Sequence, residues 1–278
     1  MYESYWQLDC KPFENTADPK FYFPGEPQQS ALLKLRYAIE NRRGAALLCG
    51  AAGTGKTLVS RMLRESLAEQ YAPQVHLTFP QMSTAELLAY LADQLDGPRS
   101  DTVGSMSAVP DVRRSVARIE RRLAENVRAD RHALIVIDEA HLIDRPETFE
   151  ALRLLLNFQP DDQMPLTLLF CGQTLLLPTL ERLPALEERL GVKSLLRPFT
   201  EAETGQYVAH RLRVAGAEKE IFQRDATAAL QQLTGGVARR INRLCDLALL
   251  IGFAEERRTI SAEHLESVAG ELVAVTPE

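Results

Sequence analysis

The chain has 278 residues, of which 45% are hydrophobic and 25% charged, and 32 Lys and Arg against 38 Asp and Glu give it a formal net charge of -6. At ~100–200 residues per domain this predicts one large unit plus a smaller one with a sizeable core, and it excludes fibrous, mini-protein and globally disordered classes. The acidic balance excludes a surface that is one continuous nucleic-acid or anionic-membrane footprint, and leaves room for a local basic patch.

Met1-Tyr2-Glu3-Ser4-Tyr5-Trp6 has neither the basic nor the apolar region of a secretory signal, so a cytoplasmic location is expected. The most apolar stretches, Leu166–Cys171 and Leu247–Phe253, fall far short of the ~18–20 residues that cross a bilayer, so no membrane span is expected. Cys10, Cys49, Cys171 and Cys245 lack the spacing of a disulfide or zinc framework.

Five short apolar runs alternate with helical patterns: Ala45–Cys49, Val75–Phe79, Ala133–Asp138, Leu166–Cys171 and Val192–Leu196. That alternation predicts an α/β domain with a five-stranded parallel sheet covered on both faces. Ser83 with Glu86 forms a capping box, and Asp144 with Pro146 and Glu147 opens a further helix. Gly97 to Pro110 has no periodicity and reads as a long surface loop. Val112, Val116, Ile119, Leu123 and Val127 make an apolar stripe. Opposite it stand Arg113, Arg114, Arg118, Arg121 and Arg122, interrupted by Glu120 and Glu125, so a solvated face and a DNA or partner contact both remain open. After Pro198 the strand signals stop. Thr200 with Glu203, the candidate caps Asp225 and Ser261, and the face of Val237, Ile241, Leu244, Ala248 and Ile251 predict a helical bundle. The expected domains are 1–198, including an N-terminal arm in which most of Trp6, Phe13, Phe21, Tyr22 and Phe23 pack against the α/β core, and 199–278.

Gly50-Ala51-Ala52-Gly53-Thr54-Gly55-Lys56-Thr57 follows the first predicted strand and opens a helix through Leu58, which is the required context of a phosphate-binding loop. Its glycines let backbone N–H groups turn toward phosphate oxygens, Lys56 reaches the β- and γ-phosphates of ATP, and Thr57 is the candidate Mg²⁺ ligand. The third run ends in Asp138 and Glu139. Adjacent strand residues face opposite ways, so Asp138 fits support of Mg²⁺ and Glu139 fits the base that orients water.

Together with Lys11-Pro12-Phe13, Asp18-Pro19-Lys20-Phe21, Leu35-Arg36-Tyr37-Ala38-Ile39, Asp138-Glu139-Ala140-His141, Cys171-Gly172-Gln173 and the segment Gly235-Gly236-Val237-Ala238-Arg239-Arg240-Ile241-Asn242-Arg243-Leu244-Cys245-Asp246, these motifs resemble the AAA+ ATPases, and within them the ExeA/GspA-type ATPases of general secretion. The resemblance covers nearly the whole chain. It implies a P-loop NTPase domain with a C-terminal helical lid, ATP and Mg²⁺ as ligands, and a homo-oligomer with nucleotide at the subunit interface. It also implies Gln173 as the sensor-1 residue, Arg239 as the sensor-2 arginine and Arg189 as a finger acting on a neighbour's site. A salt bridge of Arg189 with Glu187 or Glu188 is the alternative, and His141 reads as packing near the nucleotide site. For the N-terminal aromatics the resemblance adds the alternative that their region borders the adenine. The function expected is ATP turnover that drives assembly or remodelling of a protein partner in secretion or envelope machinery. A DNA-binding regulator of the transposition type and an ATP-gated scaffold with little hydrolysis stay open.

Overall fold

The computed structural model describes residues 1–97 and 110–274. The expected loop between Gly97 and Pro110 therefore lies, for residues 98–109, outside the described residues. The elements in chain order are α1 (Glu3–Trp6), α2 (Glu26–Glu40), β1 (Ala45–Gly50), α3 (Lys56–Ser66), β2 (Gln74–Leu77), α4 (Thr84–Asp96), α5 (Val112–Arg128), β3 (Ala133–Ile137), α6 (Pro146–Leu155), β4 (Leu166–Gly172), α7 (Leu176–Glu181), α8 (Pro184–Glu187), β5 (Leu190–Leu196), α9 (Glu201–Val214), α10 (Ala226–Thr234), α11 (Ala238–Ala254) and α12 (Ala262–Ala274). They divide into two compact units. One comprises Ser30–Gly50 and Val59–Leu195; the other comprises Met1–Gln29, Ala51–Leu58 and Leu196–Glu278.

The first unit is built on a five-stranded parallel sheet of order β2-β3-β4-β1-β5. The central strands β1, β3 and β4 are buried at every position, as strands covered on both faces must be, and that is why they read as unbroken apolar runs. Alternate residues such as Leu47, Ile135 and Leu168 share one core with Leu91 of α4, Ile119 of α5 and Leu152 of α6. Two strands differ from expectation. β2 stops at Leu77, paired with Ile137 at the end of β3, and leaves Phe79 62% exposed beyond the ladder. β5 starts earlier, at Leu190, and alternates between exposed and buried positions because it is an edge. The α5 stripe also loses its first member. Val112 opens the helix and is exposed, whereas Ile119 and Leu123 are fully buried.

The helical unit begins where the sequence signals it. Thr200 and Glu203 close a capping box at α9, and the Arg197 guanidinium hydrogen-bonded to Glu203 holds that carboxyl down to about 2. The Ser83–Glu86 box is present as well, and Ser261 Oγ accepts from His264 N at 3.3 Å. Two expected caps differ: Arg145, not Asp144, occupies the cap of α6, and Asp225 makes no side-chain cap bond.

The N-terminal aromatics do not pack as expected. Trp6, Phe13 and Phe21 are buried in the core of the helical unit, beside Phe199, Tyr207, Leu249 and Leu265. Their polar requirements are met there too, since Trp6 Nε1 donates to Leu249 O at 2.9 Å. Arg211 is 3% exposed and secures this arm. Its guanidinium donates to Pro12 O, to Glu14 O at 3.0 Å and to Tyr207 Oη at 2.9 Å, and lies 4.5 Å from the Phe21 ring centroid. Apolar side chains on the lid helices thus give the arm a face of their own to cover, a pairing that hydrophobic periodicity does not specify.

Gly235 and Gly236 connect α10 to α11 in the left-handed region, at φ of 61° and 71°. A Cβ on Gly235 would meet open space, whereas one on Gly236 would stand 2.0 Å from Phe199 O, opposite the backbone bond Phe199 N to Gly236 O of 2.9 Å. Gly235→Ala should therefore cost ~1–2 kcal/mol of unfolding free energy, the penalty of the left-handed backbone alone. Gly236→Ala should cost at least ~3 kcal/mol, because overpacking adds to strain. Denaturant unfolding of both variants checks this, and equal losses would contradict it.

Candidate functional site

Parallel strands put all their carboxyl ends at one edge, so residues at those ends share an edge however far apart they are in sequence. In the α/β unit Cys49 pairs with Gly172 and Ile137 with Phe170. Gly50, Asp138 and Gln173 thus stand at the same end of the adjacent strands β1, β3 and β4. Gly50 leads directly into the loop.

Within the loop, Gly53 and Gly55 have φ of 81° and 96°, which a residue with a Cβ adopts only under strain. Thr54 is 3% exposed and donates from Oγ1 to Ala51 O at 2.9 Å. Lys56 is 7% exposed, and its Nζ donates to the same carbonyl at 3.0 Å. The loop therefore folds its cation back onto itself. Thr57, one residue into α3, is exposed, as is Ala51, while Leu58 is half-buried.

The same unit as the loop contains α11. The first N–H groups of a helix have no partner within it, and one of them, Arg239 N, donates to Gly53 O at 3.1 Å. A Cβ on Gly53 would come within 2.7 Å of Arg239 Cβ. Gly53 thus serves both the loop conformation and the close seat of α11, and exposed Arg239 stands beside the loop. Ala238 fills the first helical position without disturbing the start of α11.

Asp138 is 5% exposed, and its Oδ1 accepts from Glu139 N at 2.9 Å. Glu139 adopts a left-handed φ of 50°, turning the chain sharply off β3 into the turn at Ala140–Leu142. Two histidines flank the acidic pair. His76 Nε2 lies 3.7 Å from Asp138 Oδ2, and His141 Nδ1 lies 3.3 Å from Glu139 Oε2. Gln173 N donates to His141 Nδ1 at 3.3 Å. His141 thus accepts a backbone hydrogen bond where it packs, a contact that the sequence spacing does not signal. His76 comes to the pair through β2, and only strand register reveals that. A hydroxyl at Thr57 and a carboxylate at Asp138 are hard oxygen donors of the kind Mg²⁺ prefers, so the donor chemistry fits that ion. Among the described residues, no group of three or more His, Cys, Asp or Glu side chains could hold a metal ion unaided.

Arg189 stands elsewhere. Its carbonyl accepts from Ala45 N at 3.2 Å, at the amino end of β1. Five residue steps separate Ala45 from Gly50, ~16 Å along the strand, so this arginine lies across the sheet from the edge that holds Gly50, Asp138 and Gln173. Neither Glu187 nor Glu188 bridges it. Arg189 Nη2 donates to Asn157 Oδ1 at 3.2 Å, and Glu187 is taken by Lys193. The arginine-rich face of α5 is also partly committed. Arg118 pairs with Asp93 and Asp96 at the end of α4, and Arg122 Nε donates to Leu95 O.

These features define a P-loop α/β domain joined in sequence to a helical unit, and comparison with known proteins gives its family. The chain belongs to the AAA family: residues 39–180, about half its length, match the AAA domain. It is 31% identical over 281 residues to general secretion pathway protein A of Aeromonas hydrophila, across 100% of this chain and 50% of that protein, so it spans about half the length of this relative. Solved structures with the same fold include Cdc6p of Pyrobaculum aerophilum, at a TM-score of 0.69 and 19% identity over 96% of this chain and 74% of that one. The ORC2 protein of Aeropyrum pernix, determined in ADPNP–ADP complexes, has a TM-score of 0.68 at 15% identity over 95% of this chain and 72% of that one. Among the described residues, no helix is long and apolar enough to cross a membrane.

Gly53→Ala should weaken binding of a fluorescent ATP analogue at least ~10-fold, equivalent to ~1.4 kcal/mol, because strain and the contact with Arg239 act together. Unchanged affinity would show that α11 yields at no cost.

Proposed function

We propose that the chain hydrolyses ATP with Mg²⁺ as a homo-oligomer and uses the turnover to assemble or remodel a protein partner in secretion or envelope machinery. The observation that carries the ATPase reading is the phosphate-binding loop with its two left-handed glycines, following directly in sequence on β1, whose carboxyl end shares a sheet edge with that of β3, from which Asp138 and Glu139 follow. The secretion context rests on the relative from Aeromonas hydrophila, and on that alone.

In this mechanism the loop N–H groups and Lys56 neutralise the β- and γ-phosphate charge, with Lys56 exchanging its bond to Ala51 O for phosphate oxygens. Gly50, Gly53, Thr54, Gly55, Thr57 and Leu58 complete the loop and the first turn of its helix. Thr57 and Asp138 would hold Mg²⁺, which supplies charge neutralisation across the phosphates. Glu139 orients a water and takes its proton as the water oxygen bonds to the γ-phosphorus; the bond to the bridging oxygen breaks and its electron pair leaves with ADP. Gln173 and Arg239 contact the γ-phosphate. Arg189, about a strand's length from its own carboxyl edge, serves a neighbouring subunit. A DNA-binding role finds less support, because Arg118 and Arg122 are engaged with α4.

Lys56→Ala should weaken ATP binding, whereas Glu139→Gln should bind ATP normally and turn it over at least ~100-fold more slowly, as loss of a general base demands. Equal hydrolysis by Glu139→Gln and wild type would remove Glu139 from the role of base.

Specific activity should rise with protein concentration if Arg189 acts in trans. Inactive Arg189→Ala mixed with inactive Lys56→Ala should then recover part of the rate through hybrid interfaces. A concentration-independent rate without complementation would return Arg189 to its bond with Asn157 as a structural residue.

A further inference from the structure

His141 Nδ1 is approached from two sides. Gln173 N–H donates to it at 3.3 Å, and Glu139 Oε2 lies at the same distance of 3.3 Å. A neutral imidazole nitrogen either accepts a hydrogen bond or donates one, so Nδ1 cannot serve both partners at once. While it accepts from Gln173, it has no proton to offer the carboxylate. Consistently, Glu139 Oε2 is buried and makes no hydrogen bond. A buried carboxylate oxygen without a donor is costly, and it is relieved when a donor is supplied.

The imidazole has little freedom to escape this competition. The His141 side chain is 9% exposed. A Cβ on Gly172 would stand 3.0 Å from Leu176 Cδ2, 3.2 Å from His141 N and 3.4 Å from its Nδ1, so a side chain at the end of β4 would crowd the His141 backbone that carries the ring. Gln173, Gly172, His141 and Glu139 all belong to the α/β unit, and the arrangement links the ends of adjacent strands β3 and β4.

We propose that His141 is a positioning residue which couples Gln173 to Glu139 by exchanging the partner of its Nδ1. With Gln173 disengaged from nucleotide, Nδ1 accepts from Gln173 N–H and Glu139 Oε2 is left without a donor. When the β4 end engages the γ-phosphate, that N–H withdraws. The single ring proton then resides on Nδ1 and donates to Glu139 Oε2, fixing the carboxylate that orients water. In this exchange solvent takes a proton from Nε2 as one is taken up at Nδ1, so the tautomer changes and the proton count does not. The proposal rests on the ATPase reading for its consequence, and not for the nitrogen exchange itself.

The experiment uses the full chain. The ¹⁵N signals of the His141 ring, assigned by comparison with His141→Asn, should report an unprotonated Nδ1 in the free protein. Saturation with a non-hydrolysable ATP analogue and Mg²⁺ should protonate Nδ1, and Glu139→Gln should reduce that response. In turnover, His141→Ala should lower kcat ~10- to 100-fold with KM for ATP within ~3-fold, the scale of a misplaced catalytic group. His141→Asn, which offers a donor and an acceptor near the position of Nδ1, should recover most of the loss. Because the effect passes through the carboxylate, His141→Ala in a Glu139→Gln background should change the residual rate less than ~2-fold. An Nδ1 that ignores nucleotide, an unaltered kcat, or a full additional loss in the Glu139→Gln background would each overturn the proposal. A wild-type protein that binds the analogue, shifts the Nδ1 signal and hydrolyses nothing would defeat the ATPase reading and leave the exchange standing.

Discussion

The whole arrangement depends on the burial of β1, β3 and β4 on both faces. A strand covered by helices on each side has no tolerable place for a charged or strongly polar group along its length, since burying one unpaired costs several kcal/mol. Polar chemistry is displaced to the strand ends, where loops reach water. A parallel arrangement then gathers the carboxyl ends into one edge, and that edge holds Gly50, Asp138 and Gln173. Their proximity follows from the sheet, not from any attraction among them.

Backbone conformation is as specific here as any side chain. Gly53 and Gly55 place the loop backbone at positive φ, and Glu139 leaves β3 at positive φ as well without being a glycine. Such a conformation costs of order 1–2 kcal/mol in a residue with a Cβ. It is held here by Asp138 Oδ1, which accepts the Glu139 N–H and thereby ties the Asp138 side chain to the backbone of the turn. In the helical unit Gly53 O fills an orphaned donor at the start of α11. A ligand that reshapes the loop must therefore disturb or strengthen the seat of α11, which gives the helical unit a direct mechanical report of the loop's state.

Much of this is legible in the sequence for physical reasons. Strands buried on both faces appear as unbroken apolar runs, so Ala45–Cys49, Ala133–Asp138 and Leu166–Cys171 mark the central strands to within a residue. The loop motif carries its backbone requirement in its glycines, and Ser83 and Thr200 announce helix starts through local bonds. What depends on register or on distant packing is hidden. Phe79 looks like strand and lies outside it, because β3 offers no partner beyond Ile137. Arg211 looks like a surface charge on α9, yet it is buried under the arm, its charge shared among backbone carbonyls, a tyrosine hydroxyl and an aromatic face. Nothing local in the sequence distinguishes it from its exposed neighbour Arg213.

Arg189 carries the same logic to assembly. The segment that presents it leads into β5, whose alignment with β1 fixes it at the amino edge of the sheet, beside Ala45. An extended arginine side chain spans less than half of the ~16 Å from that edge to the opposite one, and no rotamer change within one copy removes the deficit. If this guanidinium stabilises charge on a transferred phosphoryl group, the geometry requires a second copy that sets its amino edge against the first copy's carboxyl edge. Such a contact is heterologous: it uses two different surfaces, so repetition yields a ring or a helical filament, not a two-fold dimer. Under the proposed function, the direction of the parallel sheet therefore dictates the symmetry class of the working assembly.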